Sequence, residues 1–388
     1  MVDRNSKRTF RPATELVRAG RTPFEHEGFV NTPIYRGSTV LSRSAEDFLA
    51  RKGRYTYGRR GTPTTAALGE ALAGLEGSAG VVLTPSGLSA ITAALLSVLK
   101  SDDHVLIVDT AYNPTRVFCN TVLTRLGVEV TYYDPLVGAG IAKLIKPNTR
   151  AIFLEAPGSL SFEMQDVPAI TAVARARGIV TIMDNTWATP LYFKPHEFGV
   201  DLSLEAGTKY LGGHADLNLG WVSATKEHFT TLKDTCGTLG LCPGPEDTFL
   251  ALRGLRTLGV RLDRHMQSGL KVARWLEKHP KVLRVLHPAL ESDPGHAIWK
   301  RDFKGACGLF SVVLKPGANS AVPFVDALAL FGIGASWGAY ESLAIPFDCA
   351  KFRSATKWNP GGPAVRLHIG LEDSDDLIED LEQSLAKL

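Results

Sequence analysis

Three polar positions in the chain directly follow short apolar runs, at the places where strands of an α/β sheet would end. They are the Ser86-Gly87 turn after GVVLTP, Asp184 at the end of GIVTIMD, and Lys209 in the small-residue stretch SLEAGTKYLGG. Ligands of open α/β sheets bind beyond the carboxyl ends of the strands. A helix that starts at Gly87 can hold a phosphate through its first amides and its dipole.

Each of these positions also has an ordinary interpretation. Gly87 fits a plain loop between a strand and a helix, Asp184 fits a loop cap, and most lysines are solvated surface groups. As a set, however, a phosphate cradle, a carboxylate that can pair with a protonated ring nitrogen and a lysine are the parts of a pyridoxal 5′-phosphate site. The three positions together therefore indicate a candidate site for that cofactor, with Lys209 as the candidate lysine.

The segments that must position these residues alternate between apolar runs and helical patterns. Apolar runs lie at 80–84, 104–109, 128–134, 150–156 and 178–185, with helical patterns at 66–77 and 168–178. Such alternation predicts an α/β fold with a mostly parallel sheet covered by helices on both faces. The end of the chain differs, because a long amphipathic stretch, strand-like GLFSVVL and PAVRLHIGLED and a closing acidic helix predict a smaller α+β domain.

The length of 388 residues exceeds that of one typical domain. Residues 1–60 are irregular and rich in Arg, Pro, Gly and Thr, so we expect an arm that lies on another part of the assembly. Residues 61–258 are expected to form the cofactor-binding domain, and residues 259–388 the C-terminal α+β domain.

The composition points away from several function classes. Hydrophobic residues make up 44% and charged residues 21%, and 43 basic and 40 acidic residues leave a formal net charge of +3. Without long blocks of one sign, we expect no nucleic-acid partner. No apolar stretch has the length of a bilayer span and the N-terminal region has no signal-peptide core, so we expect no membrane partner and a cytoplasmic location.

The cysteine and histidine patterns argue against disulfides and metals. The cysteines are odd in number and dispersed, and no CxxC, HExxH or Cys/His cluster occurs. We expect no metal, and free thiols at Cys119, Cys236, Cys242, Cys307 and Cys349.

The chain resembles the Cys/Met-metabolism family of pyridoxal phosphate enzymes over nearly its whole length, from GFVNTPIYRGSTV to RLHIGLED. The family signature is matched by DNTWATPLYFKPHEFGVDLSLEAGTKYLGGHADLNLGWVSA. Further matching stretches are YTYGRRGTPT, TAYNPTRVFC, EAPGSLSFEMQDVP, LRGLRTLGVRLDRH, IWKRDF and SWGAYESL. The resemblance implies the type I fold of pyridoxal phosphate-dependent transferases, which is similar to that of aspartate aminotransferase.

The resemblance also implies how the cofactor is bound. Lys209 is implied as the Schiff-base lysine and Asp184 as the partner of the pyridine nitrogen. The phosphate is implied to bind the amides of Gly87 and Leu88, with help from Thr208.

Four residues are implied to act on the substrate. Tyr112 would stack on the cofactor ring, contact the substrate and take part in proton transfer. Arg366, whose guanidinium can bind a carboxylate with two hydrogen bonds, would clamp the substrate α-carboxylate. Ser336 and Trp337 match a Ser-Trp pair that is typical of the β-lyases of the family.

Two further matches imply an oligomer. Tyr57 and Arg59 correspond to residues that reach the phosphate from a neighbouring subunit, where Arg supplies a fork for phosphate oxygens. The resemblance therefore implies an active site shared between subunits of a homo-oligomer, with a dimer of dimers as the expected assembly.

The implied reaction is the α,β-elimination of L-cystathionine to homocysteine, pyruvate and ammonia in methionine biosynthesis. Lys209 would take the Cα proton, and Lys209 or Tyr112 would protonate the leaving thiolate. Three other functions stay open. Two are enzymatic: a different cysteine-S-conjugate β-lyase, or a γ-acting relative such as a methionine γ-lyase, cystathionine γ-synthase or γ-lyase. The third is a cofactor-binding regulatory protein without turnover.

Two positions bear on the choice among these activities. Ala335 stands where the best-known β-lyases have tyrosine and many γ-acting members have glutamate, so we expect a larger pocket near the substrate. This departure leaves the exact thioether substrate open. Ala206 stands where γ-acting relatives often have serine, which agrees with β-elimination.

Overall fold

The computed structural model describes residues 10–316 and 321–388, so the first nine residues of the predicted arm lie outside the described range. The larger layer is a seven-stranded sheet. Its strands are β1 (Gly80–Thr84), β2 (His104–Val108), β3 (Glu129–Tyr133), β4 (Thr149–Glu155), β5 (Val180–Asp184), β6 (Leu202–Ala206) and β7 (Gly220–Ala224).

The strand order of this sheet is β1-β7-β6-β5-β4-β2-β3. Strands β2 to β6 pair in parallel, and β7 runs antiparallel to its neighbours β6 and β1. The mostly parallel sheet predicted from the sequence is therefore confirmed. Its central strands are covered on both faces, which is why β2 is a continuous apolar run that is buried throughout.

Helices cover this sheet and connect its strands. The helices of the chain are α1 (Pro12–Arg18), α2 (Ala45–Leu49), α3 (Pro63–Glu76), α4 (Gly87–Val98), α5 (Asn113–Phe118), α6 (Val167–Arg175), α7 (Thr189–Tyr192), α8 (Phe229–Thr238), α9 (Pro245–Leu255), α10 (Leu258–Lys278), α11 (His296–Asp302), α12 (Val322–Asp326) and α13 (Ser374–Ala386). A π-helical segment, Cys119–Leu123, continues α5.

The ends of α3 follow from local sequence chemistry. Thr62 caps the helix by accepting a hydrogen bond from the Thr65 amide, and Pro63 occupies the first turn, where no amide donor is needed. Gly77 ends the helix in the left-handed conformation (φ 69°) that favours glycine. The helix predicted at 66–77 is thus confirmed, with a start three residues earlier.

The C-terminal part has its own four-stranded antiparallel sheet. Its strands are β8 (Val282–Leu286), β9 (Leu309–Leu314), β10 (Leu343–Phe347) and β11 (Ala364–His368), in the order β10-β11-β9-β8. Helices α10 and α13 pack together beside this sheet, so the predicted α+β architecture is confirmed. Helix α10 enters both hydrophobic cores, with Leu262 in that of the large sheet and Leu276 in that of the small sheet.

The first described helix, α1, packs on the part of the chain that contains the large sheet. Leu16 of α1 is buried, and Arg256 donates hydrogen bonds to the carbonyls of Leu16 (2.7 Å) and Ala19 (2.8 Å). Beyond this contact, large apolar side chains of the arm are exposed. They are Phe24, Phe29, Val30, Leu41, Phe48 and Leu49.

All five cysteines have free thiols, as expected from their spacing. Within the described ranges, no helix combines the length and the apolarity that a bilayer span requires.

Candidate active site

The carboxyl ends of β1, β4, β5 and β6 meet at one edge of the large sheet and open into a cavity of about 220 Å³. The fold therefore gathers side chains that are far apart in the sequence. Eight residues predicted from the sequence line this cavity: Gly87, Leu88, Tyr112, Asp184, Thr208, Lys209, Trp337 and Arg366.

Lys209 lies in the turn after β6, with its amine directed toward the C-terminal domain. Its Nζ donates a hydrogen bond to Ser336 Oγ (2.8 Å) and lies 5.6 Å from the centre of the Trp337 ring. Burial and, to a smaller extent, the positive charge of Arg366 lower the pKa of Lys209 to about 8, although Asp184 opposes the shift. An amine with this pKa is neutral in about a tenth of the molecules at pH 7, a far larger share than for an ordinary lysine, and a base or nucleophile acts in that neutral form.

Asp184 is the last residue of β5. Its Oδ1 accepts hydrogen bonds from the amide (3.0 Å) and the hydroxyl (2.6 Å) of Thr186. Burial raises the pKa of Asp184, while the bonds from Thr186 and the charge of Lys209 act against the rise. A cationic group placed in the cavity would compensate the buried carboxylate.

The turn between β1 and α4 places the N-terminus of α4 at the cavity. Ser86 caps α4 through its side chain, which accepts a hydrogen bond from the Ser89 amide (3.1 Å). The first amides of a helix have no acceptor within the helix, so those of Gly87 and Leu88 can bind an anion. A Cβ atom at Gly87 would lie 2.5 Å from the Cβ of Ala206, so only glycine fits this close approach to β6.

Tyr112 and Thr208 complete the wall of the cavity. The Tyr112 amide donates a hydrogen bond to Glu155 Oε2 (2.7 Å), which fixes the start of α5, while the Tyr112 side chain is half-exposed at the cavity. Partial burial raises the pKa of Tyr112, and the nearby Asp184 and Glu155 raise it further. The Thr208 hydroxyl is oriented by hydrogen bonds with the backbone of Leu219.

Arg366 is buried in β11 and is held by backbone carbonyls. Its Nη2 donates to the carbonyl oxygens of Ser336 (3.0 Å), Ala335 (3.2 Å) and Gly334 (3.4 Å). Burial lowers the pKa of Arg366 to about 10, so the group is cationic at neutral pH. A buried cation at the wall of a cavity is suited to bind a carboxylate.

The segment that carries Ser336 and Trp337 lies directly against the lysine turn. A Cβ at Gly338 (φ 88°) would lie 2.9 Å from the Tyr210 amide nitrogen and 3.1 Å from the Cα of Lys209. The Trp337 ring packs edge-on against Tyr210. Ala335 is exposed at the outer end of this segment.

Tyr57 and Arg59 do not line the cavity of the single chain. Tyr57 forms an isolated bridge with Thr39, and Arg59 Nη1 donates to the carbonyl of Gly237 (2.5 Å). The two arm residues that were predicted to reach a phosphate therefore lie elsewhere in their own subunit.

Sequence reasoning missed one ionisable residue of this wall, Glu155. It lies at the end of β4 in register with Asp184 on β5, and it lines the cavity. The signal that identified Asp184, a polar residue that closes an apolar run, is also present in RAIFLEA. Ser159 and Phe162 also line the cavity, but they lie in a loop without such a signal.

The donor set fits pyridoxal phosphate. A helix N-terminus, a carboxylate and a lysine of lowered pKa face one cavity, and the close contact of Gly87 with Ala206 leaves the first amides of α4 accessible. These groups match the phosphate, the ring nitrogen and the aldehyde of that cofactor.

Comparisons with known proteins agree with this interpretation. The family described as Cys/Met metabolism PLP-dependent enzymes matches residues 13–386. A Rhizobium johnstonii protein, provisionally named a cystathionine β-lyase, is 52% identical over 96% of this chain and 95% of its own length. The cystathionine β-lyase MetC of Escherichia coli is 43% identical over 97% and 98% of the two chains.

A solved structure with a similar fold belongs to a γ-acting protein. The cystathionine γ-synthase from Xanthomonas oryzae pv. oryzae, crystallised with aminoacrylate and cysteine, superposes with a TM-score of 0.90. It is 32% identical in sequence, and the match covers 98% of this chain and 99% of that chain. The type I fold predicted from the sequence is therefore confirmed.

Proposed function

Because this chain belongs to the Cys/Met-metabolism family of pyridoxal phosphate-dependent enzymes, we propose that it is a carbon–sulfur lyase that converts L-cystathionine to homocysteine, pyruvate and ammonia. The observation that carries this proposal is the near full-length similarity, at 43–52% identity, to relatives named as cystathionine β-lyases. The reaction places the enzyme in methionine biosynthesis.

When bound, pyridoxal phosphate supplies an electron sink that stabilises negative charge at the substrate Cα. Asp184 supports that role, because a carboxylate in a buried site keeps the ring nitrogen protonated. The amides of Gly87 and Leu88 and the Thr208 hydroxyl hold the phosphate, and Lys209 holds the cofactor at its aldehyde carbon.

Arg366 orients the substrate. Its carbonyl contacts with the segment 334–336 fix the guanidinium before the substrate arrives, so little side-chain entropy is lost when the α-carboxylate binds. The Cα–H bond is thereby directed toward Lys209, whose amine, when it is no longer bonded to the cofactor, removes the proton. Ser336, the hydrogen-bond partner of Lys209, holds this amine in place between steps.

The leaving thiolate needs a proton donor near the cavity mouth. The amine of Lys209 carries the proton taken from Cα, and the Tyr112 hydroxyl lies at the half-exposed rim of the cavity. Either group can supply the proton, and Trp337 lines the side of the cavity next to Lys209.

We further propose a homo-oligomer, a dimer of dimers, in which Tyr57 and Arg59 complete the phosphate site of a neighbouring subunit. The position of both residues outside their own cavity supports this arrangement. The exposed apolar side chains of the arm support it as well, because soluble monomers seldom expose so many. With five free thiols, a reducing cytoplasm is the proposed location.

Product analysis tests the proposed reaction against its closest alternative. Elimination at Cβ of cystathionine releases pyruvate and homocysteine, whereas γ-elimination releases 2-oxobutyrate and cysteine. We expect pyruvate as the keto acid. Predominant 2-oxobutyrate would assign the chain to the γ-acting branch.

A further inference from the structure

Asp109, the residue that follows β2, is buried and anchors a distant segment of the C-terminal domain. Its carboxylate accepts hydrogen bonds from Ser354 (amide 2.9 Å, hydroxyl 3.1 Å), from the Ala355 amide (3.1 Å) and from Thr356 (amide 2.9 Å, hydroxyl 2.8 Å). Arg116 Nη1 donates a further bond (3.0 Å). Burial by itself raises the pKa of Asp109, but the bonds from Ser354, Thr356 and Ala355 outweigh it and hold the pKa below its usual value.

Arg353, in the same C-terminal segment, binds a second loop of the cofactor domain. Its Nη2 donates to Glu163 Oε1 (2.7 Å), and its Nε lies 3.6 Å from Asp109 Oδ2. Glu163 follows the loop 158–162, in which Ser159 and Phe162 line the cavity. The C-terminal segment therefore binds next to two walls of the cavity at once.

The two loops of the cofactor domain also contact each other. The Ser159 amide donates to the carbonyl of Thr110 (2.8 Å), and a Cβ at Gly158 would lie 2.4 Å from the side chain of Thr110. We call the resulting contact of Asp109, Glu163, Arg353 and the segment 354–356 the carboxylate junction. Tyr112 lies three residues after Asp109, at the point where this junction meets the cavity.

We propose that Asp109 is a positioning residue for Tyr112. By fixing the C-terminal segment 354–356 against the turn after β2, Asp109 holds the ring of Tyr112 at the cofactor. This inference rests on the proposed role of Tyr112 in stacking on the cofactor ring. The physical reason is that a buried carboxylate with this many donors cannot be displaced without leaving polar groups unpaired, so the turn has one stable position. The ring of Tyr112 is then placed before the cofactor binds.

A double-mutant cycle distinguishes an effect of Asp109 on the position of Tyr112 from a purely structural role of the ion pair between Asp109 and Arg116. The dissociation constant of pyridoxal phosphate is measured by visible absorption for the full-length wild type, Asp109→Asn, Tyr112→Ala and the double variant. We expect each single variant to weaken cofactor binding ~10-fold and the double variant to bind no more weakly than Tyr112→Ala, because residues that act through one another are not additive.

Full additivity in the cycle, or an unchanged dissociation constant in Asp109→Asn, would overturn the inference. An unchanged dissociation constant in Tyr112→Ala would overturn it as well, because the inference requires that Tyr112 contacts the cofactor. Pyruvate release from cystathionine is recorded separately for the wild type, so a failure of the proposed reaction remains distinguishable from either result.

Two variants protect the test against a folding defect. Thr356→Val removes one hydroxyl donor to Asp109, and we expect a smaller loss of cofactor affinity, ~2- to 5-fold. Arg301→Met breaks an ion pair between α11 and Asp166 (2.8 Å) that also joins the C-terminal part to the cofactor domain but does not line the cavity. We expect this control to lower the melting temperature and leave the affinity unchanged. Equal affinity losses in both variants would contradict a specific role of Asp109.

Discussion

Glu155 and Asp184 occupy directly paired positions on the parallel strands β4 and β5, so two carboxyl groups lie side by side below the cavity. Burial first, and then the negative charge of Asp184, raise the pKa of Glu155 well above its usual value. Burial therefore favours the uncharged form of Glu155, which accepts a hydrogen bond from the Tyr112 amide.

Replacement of Glu155 by glutamine should preserve function. The amide oxygen of glutamine can still accept the hydrogen bond from Tyr112, and burial favours an uncharged group at this position. Glu155→Ala leaves the Tyr112 amide unpaired, so we expect it to cost about 1–3 kcal/mol at this turn and to lower kcat/KM by a corresponding factor of roughly 5 to 160. Steady-state kinetics of both variants check this. A glutamine variant as impaired as the alanine variant would show that the acid group itself is needed.

The lowered pKa of Lys209 predicts how cofactor capture depends on pH. Capture requires the neutral amine, whose fraction rises with pH, so the rate for cofactor-free protein should rise to a plateau with a midpoint at about pH 8. Stopped-flow recording of the visible absorption from about pH 6 to about pH 10 measures this midpoint.

Two variants should move that midpoint in opposite directions. Arg366→Leu removes a positive charge that lowers the pKa of Lys209, so the midpoint should rise. Asp184→Asn removes a negative charge that raises this pKa, so the midpoint should fall. Shifts of the same sign in both variants would contradict the electrostatic explanation.

Arg366→Lys should separate substrate binding from the chemical steps. Lysine keeps the positive charge but cannot form the planar pair of hydrogen bonds with a carboxylate. Since a hydrogen bond to a charged group contributes about 1.5–3 kcal/mol, we expect KM for cystathionine to rise roughly 10- to 100-fold with a smaller change in kcat. An unchanged KM would remove Arg366 from the carboxylate site.

Gly87→Ala tests the steric argument at the start of α4. The new methyl group would meet Ala206 at 2.5 Å, so we expect a loss of roughly 1–3 kcal/mol in stability and weaker cofactor binding. Gly74→Ala is a matched control, because a Cβ at Gly74 of α3 meets no atom within 4 Å. We expect this control to gain about 0.5–1 kcal/mol in stability. Thermal unfolding and cofactor titration compare the two; equal effects would contradict the contact argument.

Much of the fold could be predicted because its signals are local. Strand β2 is buried on both faces, and its apolar run therefore matched the observed bounds to within one residue. The start of α3 at Pro63 was missed because helical periodicity begins only after the capping residues, although Thr62 and Pro63 are themselves start signals.

The residues of the candidate site likewise fall into those with a local sequence signal and those without one. Asp184 and Lys209 are recognisable at strand ends, whereas the contacts that orient the site join residues far apart in the chain. Lys209 meets Ser336 across 127 positions, and Asp109 meets Ser354 across 245. Periodicity and turn chemistry carry no information about such pairs, which exist only once the C-terminal part packs against the large sheet.

The most direct test of the central claim is one incubation of the purified protein with pyridoxal phosphate and L-cystathionine. The visible spectrum, pyruvate and free thiol are recorded together, with Lys209→Ala as the control. The account predicts a yellow wild-type protein that releases pyruvate and homocysteine in equal amounts, and a variant that is slower by at least ~100-fold. A colourless wild-type protein, or a Lys209→Ala variant with wild-type turnover, would contradict it.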